Sequence, residues 1–94
     1  GVLMAEQEYR VEVEIFGDFY TLKGDSSPER MLLLAQYVNR KMKHLAGRNP
    51  RLTKAQLAVL AALNIAEEFK KLQEEHENLV KMLEPEKKNN KKNS

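Results

Sequence analysis

Three observations predict an α+β fold in which an N-terminal β-hairpin packs on a short helix and a long helix follows, forming an oligomeric coiled coil. Residues 10–16, RVEVEIF, alternate in period two. Two later segments place apolar residues at steps of three and four, and the second of these meets no helix breaker before Pro85. A period-two stretch followed by period-3.6 stretches places the strands before the helices. The expected organisation is a disordered N-terminal segment over residues 1–8, a globular head over 9–66, a coiled-coil projection over 67–84 and a disordered basic tail over 85–94.

In the first strand Val11, Val13 and Ile15 share one face, and Glu12 and Glu14 share the other. Gly17 and Asp18 read as a two-residue turn of the Gly-X type, with FYTLK as the returning strand. That turn predicts Phe16 opposite Phe19, Ile15 opposite Tyr20, Glu14 opposite Thr21, Val13 opposite Leu22 and Glu12 opposite Lys23. Each pair matches in character, and a slip of one residue would exchange the two faces. A lone hairpin is marginal in water, so its face of Val13, Ile15, Tyr20 and Leu22 needs a partner.

The first helix supplies that partner. Ser26, Ser27, Pro28 and Glu29 form a helix start: hydroxyl oxygens for capping, a proline suited to the first turn, and a carboxylate near the positive end of the helix dipole. Met31, Leu34, Ala35, Val38, Met42 and Leu45 form the inward stripe, and Gly47 can end the helix in the left-handed conformation. Arg40, Lys41, Lys43 and His44 on the outer side, with Arg48 and Arg51 in the loop, form a basic group of the sort that usually makes a solvated face.

After the turn-rich GRNPRL, Thr53 and Gln56 read as a capping box that opens the long helix. At 1.5 Å per residue, residues 54–84 span roughly 46 Å, longer than so small a domain is wide, so the far half is expected to project. Ala55, Ala58, Ala62, Ile65, Phe69, Leu72, His76, Leu79 and Leu83 follow alternating steps of three and four, the seam of a coiled coil. Leu57, Val59, Leu60 and Leu63 add further apolar faces to LAVLAALNIA, more than one small head covers. Burial of Phe69, Leu72, Leu79 and Leu83 at about 1.5–3 kcal/mol each makes the seam worth on the order of 10 kcal/mol gross, offset in part by ordering entropy. Self-association is therefore expected, with parallel and antiparallel pairing both open. His76 on the seam reads either as an acid-sensitive switch or as a partly exposed residue near a fraying end. Asn64 reads either as a register-fixing polar residue or as a partner for a nearby backbone group.

Composition narrows the function classes. Ninety-four residues allow one domain at most, with a marginal independent core. The absence of cysteine removes disulfide and thiolate chemistry. The apolar run Leu57–Leu63 falls far short of the roughly 20 residues that a membrane helix needs. Glu6, Glu8, Arg10, Glu12 and Glu14 stand where a signal peptide would be apolar, and Gly1, Val2 and Leu3 ahead of Met4 read as a cloning remnant. The net charge of +2 comes from the tail, where Lys87, Lys88, Lys91 and Lys92 face only Glu86, so residues 1–84 are close to neutral. No aromatic interleaves that tail for base stacking. His44 and His76 have no partners at metal-ligand spacing, and no glycine-rich phosphate loop is present, so neither cofactor nor catalysis is expected.

Several stretches, in this order, resemble the ZapA family, proteins associated with the bacterial cell-division ring: VEVEIFG and YTLKG in the hairpin, YVNRKM in the first helix, NPRL in the connection, then LAVLAALNIAEEF and KLQEE, over residues 11–75. The set of IFG, NPRL and AALNIA is the specific part. The resemblance implies a non-enzymatic cytoplasmic protein of the division septum. Such a protein binds FtsZ, the tubulin-like filament protein, and bundles or crosslinks its protofilaments as a homodimer and homotetramer. Because filaments of that kind are acidic, the resemblance makes Arg40, Lys41, Lys43 and Arg48 the candidate FtsZ contacts, acting through charge steering. The three-four spacing of the long helix gives Ala62, Ile65, Phe69, Leu72, His76, Leu79 and Leu83 as the oligomer seam. Some members carry basic residues at the hairpin turn; here Asp18 and Thr21 depart from that pattern. The alternative from another class is a small, basic-tailed coiled-coil protein associated with nucleic acid.

Overall fold

The computed structural model describes residues 8–84. The expected disorder of the tail and of the N-terminal residues before Glu8 lies outside the described residues. Strands β1 (Tyr9–Ile15) and β2 (Asp18–Gly24) form an antiparallel hairpin, followed by α1 (Pro28–Arg48) and α2 (Lys54–Met82). The predicted order and type of elements are those observed.

The hairpin register differs from the expected one by two residues. Val13 faces Tyr20, Val11 faces Leu22, Glu12 faces Thr21, and Ile15 faces Asp18, so the turn is Phe16–Gly17 rather than Gly17–Asp18. Both turn residues have positive φ, 49° at Phe16 and 88° at Gly17, as a two-residue turn matching the right-handed twist of the strands requires. A shift of two keeps every side chain on its face, so the apolar alternation is satisfied by either register. What decides is the environment of Phe16. Its backbone N–H donates to Oδ1 of Asn39 at 2.7 Å, and its side chain packs on the buried cluster of Met42, Leu45, Leu57 and Ala61. The expected Glu12–Lys23 pairing is not made; Arg10 stands opposite Lys23.

Local chemistry sets the ends of α1 and the start of α2. The Arg30 N–H donates to Oγ of Ser27 at 3.2 Å, and Pro28 occupies the first turn. At the other end the helix runs through Gly47, which does not adopt the left-handed conformation expected of it. Asn49 closes the helix instead: its N–H and its Nδ2 both donate to the Leu45 carbonyl, each at 2.9 Å. With an amide side chain two residues on, the helix needs no glycine cap. The capping box of α2 forms as expected, Gln56 N–H to Thr53 Oγ1 at 3.1 Å and Thr53 N–H to Gln56 Oε1 at 3.0 Å.

The core is small. Val13, Met31, Ala35, Met42, Leu45, Leu57 and Ala61 are buried, with Ile15, Phe16, Val38, Ala46, Leu52 and Leu60 packed around the Met42–Leu57 cluster. Leu34, expected in the inward stripe, is 54 % exposed. It sits on the edge of the buried arc, in the half of α1 before that cluster begins. Contacts divide the chain into two compact units that meet within α2, between Ala61 and Ala62.

Candidate functional site

α1 presents a cationic strip built around one aromatic ring. Arg40 and Lys41, three and four residues after Tyr37, are one turn away on the same face. The Arg40 guanidinium lies 5.9 Å and the Lys41 ammonium 5.4 Å from the centre of the Tyr37 ring, within cation–π range. Together with His44 they line a shallow pocket of about 170 Å³. Arg48, eleven positions from Tyr37, falls roughly 20° from it around the helix and continues the strip. Lys43, six positions away, falls roughly 120° off and does not line the pocket. Of the four cations singled out in the sequence, the fold therefore gathers Arg40 and Lys41 tightly, aligns Arg48 with them and sets Lys43 apart.

Tyr37 was not singled out by sequence reasoning, although its spacing to Arg40 and Lys41 is the signal for it. A second signal is charge segregation. Residues 30–66 contain Arg30, Arg40, Lys41, Lys43, Arg48, Arg51 and Lys54, and not one Asp or Glu. Residues 67–84 contain six Glu against three Lys. A segment whose charged residues are all basic carries a net positive charge, which attracts anionic surfaces over a distance set by ionic strength.

Seam residues Ala62, Phe69, Leu72, His76 and Leu79 are exposed positions of α2, Leu83 is exposed just beyond its end, and Ile65 is half-buried. Phe69 is 57 %, Leu72 64 % and Leu83 75 % exposed, an uncommon density of large apolar side chains on one helix. Val59 and Leu63, four residues apart, are exposed on a neighbouring face.

A larger apolar feature lies in the head, a groove of about 520 Å³ between the hairpin, α1 and the first turns of α2. Ile15, Tyr20 and Leu22 form one wall, Val38 and Met42 another, and Ala55 and Ala58 contribute only methyl groups from α2. Lys54, also at the groove, pairs with Asp18 at 2.6 Å. The Lys54 hydrogen bond and charge, with a longer contact from the Tyr20 hydroxyl, hold the Asp18 carboxyl below the usual aspartate range. Among the described residues no group of three or more His, Cys, Asp or Glu is placed to hold a metal ion, and no helix is long and apolar enough to cross a membrane.

The family model described as "Cell division protein ZapA" matches residues 11–93. The chain is 45 % identical over 82 residues to the cell division protein ZapA of Geobacillus thermodenitrificans (strain NG80-2), covering 87 % of this chain and 90 % of that protein. It is 43 % identical over 70 residues to the protein of the same name from Bacillus thuringiensis (strain Al Hakam), covering 74 % and 79 %. A solved structure, the ZapA mutant dimer from Geobacillus stearothermophilus, is similar with a TM-score of 0.65 at 40 % identity, over 83 % of this chain and 91 % of that one.

Proposed function

The chain belongs to the ZapA family of cell-division proteins, and from that premise we propose that it is a non-enzymatic linker that binds FtsZ and bundles its protofilaments at the division septum. The observation that carries this reading is that one short chain holds both an exposed apolar strip on α2 and a cationic strip on α1 around Tyr37. A strip of Phe69, Leu72, Leu79 and Leu83 left in water forfeits burial worth about 1.5–3 kcal/mol per side chain. In this reading copies of the chain share that strip, and the dimeric Geobacillus stearothermophilus neighbour supports self-association. A dimer or tetramer then carries two or more cationic faces on one body. Once one face has bound a filament, the next binds at a high effective concentration, so weak contacts suffice to bridge protofilaments.

Tyr37, Arg40, Lys41 and Arg48 form the proposed filament contact; Lys43, on another face, takes a lesser part. The test is co-sedimentation with polymerised FtsZ. The double variant Lys41→Glu, Arg48→Glu is expected to lose pelleting while its mass in the ultracentrifuge stays that of the unmodified protein. Pelleting that survives both charge reversals removes the cationic face from the mechanism. Removal of residues 85–94 is expected to leave bundling intact. Nucleic-acid binding that collapses steeply with salt and vanishes with that tail would replace the filament reading by the other class of function.

A further inference from the structure

We infer that the outward strip of α1, from Arg30 to Arg48, docks an acidic protein segment that carries an apolar side chain between its carboxylates, with Leu33 as the apolar contact. The inference rests on the filament contact proposed above, in which that segment lies on the filament surface, and deepens it by naming the chemistry that the strip fits.

α1 leaves a dense apolar patch in water. Leu33 is 64 % exposed, Leu34 54 % and, in the next turn, Tyr37 38 %. A single exposed leucine is ordinary, whereas a cluster of large apolar side chains beside a cationic pocket marks a contact surface.

Helix geometry ties Leu33 to the cations. At 100° per residue, Leu33 and Arg40 lie roughly 40° and 60° to one side of Tyr37, while Arg30, Lys41 and Arg48 lie roughly 20° to 40° to the other. The strip is about 27 Å long, with Arg30 at one end, the apolar patch next to it, and Arg40, Lys41 and Arg48 beyond. Glu29, the acidic residue of the first turn of α1, stands at its margin, roughly 80° from Tyr37.

This order suits a protein segment better than a lipid surface. A whole myristoyl chain gives only marginal membrane binding, and Leu33 with the rim of Tyr37 offers fewer carbons than that. A protein segment can seat one side chain against Leu33 and Tyr37 while its carboxylates meet Arg30 on one side and Arg40, Lys41 and Arg48 on the other. A small apolar centre with a polar rim, built from Tyr and Arg, is the usual anatomy of a protein interface. The Tyr37 ring also holds Arg40 and Lys41 at 5.9 Å and 5.4 Å from its centre, which lessens the ordering that binding requires.

Salt separates the two kinds of contact, because charge attraction is screened and apolar burial is not. Two synthetic Glu-rich peptides of about 18 residues, the length of helix that spans the strip, serve as probes in fluorescence anisotropy; one carries two central leucines and the other alanines in their place. The leucine peptide is expected to bind about tenfold more tightly, a preference that persists as salt rises and disappears in Leu33→Ala. Lys41→Ala is expected to weaken both peptides alike. Leu33→Ala is also expected to weaken pelleting with polymerised FtsZ about tenfold, with circular dichroism and mass in the ultracentrifuge unchanged.

Equal binding of the two peptides, or a Leu33→Ala protein that keeps the preference, would overturn the inference. A changed mass would do so by giving Leu33 to a second copy, and Leu33-dependent binding to phosphatidylglycerol vesicles in place of the peptides would give it to a membrane. The filament measurement separates the two levels. Pelleting undiminished by Leu33→Ala overturns the inference and leaves the filament reading standing, whereas a leucine preference in an unmodified protein that never pellets supports the chemistry of the strip and defeats the filament reading.

Discussion

The backbone N–H of Phe16 donates to Oδ1 of Asn39, 23 positions along the chain, at 2.7 Å. This bond joins the hairpin turn to the middle of α1 at the residue whose φ of 49° is the least favourable in the described chain for a bulky side chain. Without the acceptor a part-buried donor is left unmade. Asn39→Ala is expected to destabilise the fold by about 1–3 kcal/mol, and Asn39→Asp, which keeps the acceptor oxygen, by less. Urea unfolding at fixed protein concentration checks both; equal loss in the two variants would show that the bond does not hold the turn.

Two glycine-to-alanine changes are expected to act with opposite signs. A Cβ at Gly17 meets nothing within 4 Å, but φ there is +88°, so Gly17→Ala bears the backbone penalty alone, about 1–2 kcal/mol. Gly47 also has open space and lies inside α1 with ordinary helical φ, so Gly47→Ala stabilises by up to about 1 kcal/mol. Thermal melts compare them directly. A destabilised Gly47→Ala protein would restore the glycine to the role of a left-handed cap.

Leu57 and Leu34 separate the core from the apolar surface of the head. Leu57 is 3 % exposed among Met42, Leu45 and Ala61, and its truncation to Ala is expected to cost about 2–5 kcal/mol. Leu34→Ala, at 54 % exposure, should lose well under half as much. Similar losses at both sites, measured by denaturant midpoints, would mean that Leu34 is covered in the assembled protein.

The Asp18–Lys54 pair makes a pH-dependent contribution of definite sign. The Asp18 carboxyl is held below its ordinary value by Lys54, so its stabilisation is complete above the unfolded-state pKa near about 3.9 and is lost as pH falls through the lower folded-state value. Asp18→Asn should therefore be less stable than the unmodified protein at pH 7, with the difference shrinking toward zero as the pH drops below about 4. Urea titrations of both proteins across that range follow the difference. A gap that widens on acidification would contradict the pairing.

Much of the head is legible in residues that act on their near neighbours. Ser27 and Pro28 begin α1, Thr53 and Gln56 begin α2, and the alternation from Val11 to Ile15 orients β1, each through bonds or faces within a few positions. The cationic strip is legible in part: Arg40, Lys41 and Arg48 fall together, but the ring between the first two, Tyr37, becomes visible as the centre only when the distances are known. The large groove is not legible at all. Its walls come from Leu22, Met42 and Ala58, residues brought together by the meeting of three elements.

By itself the sequence determined the order of elements, the N-terminal caps of both helices, most of the face of each that turns inward and the excess of apolar surface on α2, because periodicity and capping depend on side chains a few residues apart. Only the tertiary structure decided that the hairpin turns at Phe16–Gly17 and that α1 passes through Gly47. Two hairpin registers two residues apart bury the same faces, and choosing between them takes a hydrogen-bond acceptor from Asn39 and an apolar seat on α1 and α2, which local pattern does not contain.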